Sequence, residues 1–327
     1  MLPQQTAAED FVAAYEGDSA ALVRLNAYYE RAFTFDDVKA EIWRRVYAFR
    51  QRSSRVERNY LTLDEARVLV AQDAGYGSWD ALLAAGAPHP ELYALDELRI
   101  APRRRLSNGE WDVLLAAARE HGVTRLDANG LMTGDVLRRA VRALPGLKSL
   151  SLGGSRELDD DGLLALAGLP ELERLELGEY PGRRLTDRGL AVLAHLPALR
   201  EFEMTWQKGI TDAGAAHLRH CRRLEAVNLM GSPTGDGVVA ALAGHPTLRD
   251  LRTGRLLTDD GLQRLQELPH LTKLLIDGPF AGDGLAGLAR LTELIELDLF
   301  WHVTALEPAA FGHLAPLPKL QMLGCDG

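Results

Sequence analysis

The spacing Leu172-x-x-Leu175-x-Leu177 recurs along three quarters of the chain and leaves few folds open to it. Ten copies begin at Leu95, Val123, Leu147, Leu172, Leu199, Leu224, Leu248, Leu271, Leu294 and Leu317, at intervals of 28, 24, 25, 27, 25, 24, 23, 23 and 23 residues. A fixed period in this range implies a solenoid. One strand–loop–helix unit cannot bury its apolar face alone, whereas stacked units share a continuous core. Strand side chains alternate, so the leucines turn inward and the residues between them turn outward.

The 327 residues suffice for one solenoid and a smaller unit. A net charge of −9 weighs against wholesale binding to polyanions and leaves room for a local basic patch. No window approaches about eighteen consecutive apolar residues, so no membrane span is expected. The start does not resemble a signal peptide, and Cys221 and Cys325 fit a reducing compartment; a cytoplasmic protein is expected.

Residues 1–90 lack the repeat and carry apolar residues at helical spacing, with helices expected near 6–16, 18–31, 36–52, 62–75 and 78–86. Asp18 or Ser19, the Thr62/Glu65 capping box and Ser78 mark three helix starts. Ala87-Pro88-His89-Pro90 breaks helix, which divides the chain into a helical N-terminal domain (1–90) and a repeat domain (91–327).

Within the repeats, helices open on LTDRGL (185–190), ITDAGA (210–215), LTDDGL (257–262) and LDDDGL (158–163). Thr186, Thr211 and Thr258 sit where an N-cap satisfies free N–H groups; Asp187, Asp212 and Asp259 favour the positive end of the helix dipole. That periodicity assigns the aspartates to capping rather than to a metal. His217, His220 and Cys221 form HxxHC, but Cys221 holds the apolar place of Leu169 and Leu196, and no fourth zinc ligand is evident. Cys325 reads as a repeat-position cysteine in the last loop. No nucleophile elbow, phosphate loop, dinucleotide fingerprint or zinc-protease motif occurs, so no catalytic residue, metal or cofactor is expected.

The (Thr/Asp)-Asp-x-Gly-Leu helix start followed by Leu-x-x-Leu-x-Leu resembles the cysteine-containing leucine-rich repeats of F-box substrate-recognition proteins and their bacterial relatives, over roughly 93–327. Cys221, three residues before Leu224, and Cys325, eight after Leu317, stand at the two cysteine positions of that class. The resemblance implies a leucine-rich-repeat arc, an α/β solenoid with a parallel sheet on its concave face and helices on its convex face. It carries no catalytic residues. Residues 61–84, through Leu61, Ala66, Gly75, Tyr76, Ser78, Trp79 and Leu82, resemble a helical segment ahead of ankyrin and other repeats in bacterial proteins, and EGDSAALVRL (16–25) resembles an ankyrin-type helix pair. This implies a bacterial, repeat-associated adaptor.

The expected function is binding of a partner protein, its identity open, through the outward strand residues and an aromatic edge. The residues assigned to it are Arg174, Glu176, Tyr180, Glu201, Glu203, Trp206, Asn228, Met230, Arg252, Phe280, Asp298, Phe300 and Trp301. Large aromatics beside charges have the composition of a binding hot spot. The alternatives are an F-box-like adaptor, a GTPase regulator, or a nucleic-acid binder using Arg44, Arg45, Arg50, Arg52, Arg55 and Arg58 with Trp43, Tyr47, Phe49 and Tyr60, joined by Arg103–Arg105. The acidic total and an amphipathic reading of that segment weigh against nucleic acid. A monomer, or a weak homodimer through the C-terminal repeat edge, is expected.

Overall fold

A computed structural model describes residues 3–39, 45–46, 60–178, 185–300 and 306–326. The chain forms two compact units, Met1–Val123 and Thr124–Gly327.

In the first unit, helices span Pro3–Glu16, Ser19–Tyr29, Leu63–Asp73, Trp79–Ala85 and Asn108–Glu120, with residues 35–39 also helical. Asp18 caps the second helix, Ser78 the fourth, and Thr62 and Glu65 form the capping box expected of them. Phe11, Leu25, Leu69 and Leu82 are all at most 2 % exposed and centre the helical core. Of the arginine segment proposed for nucleic acid, Arg45 lies within the described residues, and its guanidinium donates to Asp73 (2.9 Å) and Gln72 (2.9 Å). Arg103 pairs with Glu91 (3.1 Å) and Arg104 with Glu110 (2.6 Å). Arg105 lies 3.6 Å from Asp73 and over the rings of Tyr29 and Phe33. These four arginines are committed to acids of their own unit.

The first expected repeat is not one. Strands β1 (Tyr93–Asp96) and β2 (Arg99–Pro102) form an antiparallel hairpin. Glu97 at φ 44° turns the chain back, so Leu95 and Ile100 fall on different strands and Leu98 is left exposed.

The second unit is an α/β solenoid, and its sheet follows sequence order: β3 (Arg125–Asp127), β4 (Ser149–Ser151), β5 (Arg174–Glu176), β6 (Glu201–Glu203), β7 (Ala226–Asn228), β8 (Asp250–Arg252), β9 (Lys273–Asp277), β10 (Glu296–Phe300) and β11 (Met322–Asp326). All these neighbours pair in parallel, in register through Leu126, Leu150, Leu175, Phe202, Val227, Leu251, Leu274, Leu297 and Leu323. Leu172, Leu175 and Leu177 are each at most 2 % exposed, and each such leucine contributes about 1.5–3 kcal/mol through burial.

Four of the return legs begin as a short α-helix and tighten into 3-10 turns, as in Asp187–Leu190 followed by Ala191–His195, whereas Gly134–Ala143 and Asp236–Leu242 are α-helical and Gly282–Arg290 and Pro308–Leu314 are 3-10 throughout. About ten residues must carry the chain back across the layer, and the larger rise per residue of the 3-10 form covers that distance with fewer residues.

The last copy is displaced by three residues. Leu297 pairs with Leu323, so the strand triplet is Leu320, Leu323 and Cys325, while Leu317 takes the helix-end place of Leu291. Cys325 therefore stands in β11 rather than in a loop, and it is exposed there. Cys221 faces the core as expected: its thiol donates to Leu193 O (3.2 Å), and burial pushes its pKa up to about 12.

The aspartates that open the repeat helices, just after the N-cap residue, do more than complement a dipole. Asp160 accepts from the N–H and hydroxyl of Thr186 (2.8 and 2.6 Å), Asp187 from those of Thr211 (2.7 and 2.7 Å), and Asp236 from those of Thr258 (2.8 and 2.5 Å). Where threonine is replaced, the aspartate still caps backbone: Asp212 accepts from Gly235 N–H (2.7 Å) and Asp259 from Ala281 N–H (3.0 Å). Across these five junctions each repeat thus caps the helix start of the next. The glycine of the motif keeps that approach open, since a Cβ on Gly214 would lie 2.5 Å from an Asp187 oxygen.

Candidate functional site

Strand period two sends two residues of each triplet away from the core, and parallel register stacks them in two rows. One row runs Arg174, Glu201, Ala226, Asp250; the other runs Glu176, Glu203, Asn228, Arg252. Between large charged neighbours, the methyl of Ala226 leaves a gap. A groove of about 330 Å³ opens there, bounded by Arg174, Glu201, Glu203, Asn228, Asp250 and Arg252.

Charges in the first row neutralise each other across the strands. Arg174 meets Glu201 at 2.5 Å and Lys273 meets Glu296 at 3.0 Å; beside them Arg200 meets Glu225 at 2.6 Å. Such exposed pairs add little stability, but they fix side-chain positions. The second row differs. Among the described residues no cation makes an ion pair with Glu176 or Glu203, and the two stand opposite each other on adjacent strands. Partial burial raises the Glu203 pKa first and the Glu176 charge second; the more distant Arg174 and Arg252 oppose this. Burial likewise raises Asp250, again against the pull of Arg252.

A raised carboxyl pKa means that the fold disfavours the ionised form, so the cost to stability is absent below the unfolded pKa and grows as pH rises through the folded one. Glu203→Gln is accordingly expected to raise the thermal midpoint at about pH 7 and to leave it unchanged at about pH 3. A gain of equal size at both values would assign the effect to packing instead.

The sequence-selected residues do not all reach this surface. Arg174, Glu201 and Arg252 are exposed on it; Glu176, Glu203, Asn228 and Asp298 are half-buried there. Trp206, three residues beyond Glu203, holds a left-handed backbone (φ 56°), which is costly for a bulky residue. Its backbone N–H donates to Met230 O (2.8 Å), and its ring lies over the place a Cβ on Gly231 would take. Trp206, Met230 and Phe300 are half-buried. Phe280 is fully buried and is removed from the surface. It fills the apolar place before the helix start held by Leu185, Ile210 and Leu257 elsewhere, a place that aligning FAGDG with LTDRG would have identified. Tyr180 and Trp301 lie outside the described residues, as do Arg44, Arg50, Arg52, Arg55 and Arg58. Sequence reading named both outward positions on β5 and β6 but missed Ala226 and Asp250, because on β7 and β8 it followed only the row of Asn228 and Arg252.

No helix among the described residues is long and apolar enough to cross a membrane. No family model and no curated protein matches the chain. Among solved structures, the chain is similar to internalin C2 from Listeria monocytogenes (21 % identity, TM-score 0.48, covering 68 % of this chain and 84 % of that one). It is also similar to a structure of the yeast Rad7 and Elc1 complex (19 %, TM-score 0.48, 66 % and 65 %) and to one of the mouse RP105/MD-1 complex (18 %, TM-score 0.42, 62 % and 38 %). On its own strand register and repeat sequence, the second unit is a leucine-rich-repeat solenoid.

Proposed function

We propose that this protein is a non-enzymatic interaction module that binds a partner protein across the face of β5–β8, with Trp206 as an aromatic anchor at the strand ends. The groove carries this reading. It is the place where fixed charges of both signs surround a recess, and interface cores of that kind combine a desolvated pocket with a polar rim. Trp206 supports it: a tryptophan held in a strained backbone three residues after Glu203, which lines the recess, contributes large contact area with little left to order on binding.

The test is affinity purification from the native host with mass-spectrometric identification of what is retained. Ala226→Trp, which fills the gap without touching a charge, is expected to lose the retained partner while keeping the thermal midpoint, and Trp206→Ala is expected to weaken capture. Undiminished capture by Ala226→Trp would remove the strand face from consideration.

A further inference from the structure

We propose that the strand face receives a lysine or arginine side chain from a basic, extended segment of the partner protein, seated between Glu176 and Glu203 above Gly178. This rests on the interaction reading above and names the chemistry of the partner.

The geometry is specific to these strands. A Cβ built on Gly178 would lie 3.3 Å from Thr205 Oγ1, 3.4 Å from Glu176 Oε1 and 3.9 Å from Glu203 Oε1. Three oxygens from the β5 and β6 segments therefore converge at contact distance on the place that a side chain at residue 178 would take, and glycine leaves that place without a side chain of its own. Gly153 extends it on the far side, where a Cβ would come within 2.9 Å of the same Glu176 oxygen. Thr205 is 7 % exposed, so one wall of the space is fixed by packing. An ammonium carries three donors and no acceptor, which suits three converging acceptors; a guanidinium can bridge two carboxylates.

Charge balance selects the same partner. Around the groove stand four carboxylates (Glu176, Glu201, Glu203, Asp250) and two guanidiniums (Arg174, Arg252). Arg174 is held by Glu201 at 2.5 Å, and Arg252 sits beyond Asn228, nearest to Asp250 at 4.0 Å. Neither neutralises the Glu176–Glu203 pair by direct contact. An incoming cation relieves the repulsion between the two carboxylates, so its binding energy includes a cost already present in the free fold. Among the described residues no cation touches either carboxylate, so an anionic segment would meet them without compensation. The groove continues from Glu203 across β7 to β8, which gives an extended chain a path after its basic side chain is seated.

The experiment uses the full chain and a fluorescently labelled alternating lysine–serine peptide, followed by anisotropy at low ionic strength, with a glutamate–serine peptide of the same length as comparison. The wild type is expected to bind the lysine peptide and not the glutamate peptide. Glu176→Gln/Glu203→Gln should weaken binding about tenfold or more, roughly 1.4 kcal/mol. Glu120→Gln/Glu171→Gln removes the same charge from exposed positions elsewhere and should change binding less than about twofold. Gly178→Ala keeps both carboxylates and fills the space; it too should weaken binding.

Equal weakening by the two double variants, equal binding of both peptides, no binding of the lysine peptide by the wild type, or displacement of the peptide by calcium chloride at equimolar amounts would each overturn the proposal. The broader reading fails separately. If Ala226→Trp abolishes capture of the native partner and Glu176→Gln/Glu203→Gln leaves it intact, the face stands and the basic segment falls; if neither variant affects capture, both fall.

Discussion

Phe202→Ala is expected to lower the unfolding free energy by about 3–5 kcal/mol, the largest effect of any single truncation beneath the groove. Phe202 is 2 % exposed and holds the inward place that leucine or valine holds in the other parallel strands, so its ring fills volume that no neighbour supplies. Removing it subtracts the burial of the ring and leaves a cavity beneath a sheet whose strands hydrogen bonds hold in fixed register. Equilibrium denaturation of the two proteins measures the loss. Phe202→Leu, which keeps most of the volume, should cost less than about 1.5 kcal/mol. A loss below about 1 kcal/mol for the alanine variant would show that adjacent repeats close over the gap, and the groove above it would then be a soft feature.

Asp160→Ala should cost about 3 kcal/mol, since it removes two charge-assisted hydrogen bonds worth roughly 1.5 kcal/mol each. Asp160 is 7 % exposed, and its carboxylate reaches from the start of one helix to the N–H and hydroxyl of Thr186 at the start of the next. The loss therefore falls on the junction between repeats rather than on one helix. A double-mutant cycle with Thr186→Val separates the two: the ladder requires a coupling of about 1 kcal/mol or more, whereas additive losses would return Asp160 to a purely local dipole role. Because stability in a solenoid is close to a sum of repeat and neighbour terms, the broken junction should also broaden the unfolding transition.

Much of the fold could be read from the chain because its periodicity is strong. Leu172, Leu175 and Leu177 could be assigned to the core from spacing alone, and the caps at Asp18, Thr62, Ser78 and Thr211 followed from local chemistry. The errors fall where periodicity is weak. Leu95, Leu98 and Ile100 satisfy the triplet yet form a hairpin, because the turn at Glu97 separates them. In the last copy, Leu317 and Leu320 both satisfy the spacing, and strand pairing to β10 selects Leu320. Phe280 looked like a surface anchor because its helix start lacks the threonine that marks the others.

The sequence by itself determined which residues of the regular repeats face inward, where most repeat helices begin, and that the strands would stack in order, since all three follow from spacing and from local backbone chemistry. Only the tertiary structure decided which outward residues meet. Glu176 and Glu203 are 27 residues apart, and their shared space above Gly178 exists because parallel pairing sets β5 and β6 in one register with Thr205 at its rim. Likewise Asp187 and Thr211 each carry a sensible local role in the chain, and only stacking joins them across repeats. The physical reason is one of range: propensity and capping act within a turn of chain, whereas lateral contacts depend on the register between strands that the spacing of one repeat does not encode.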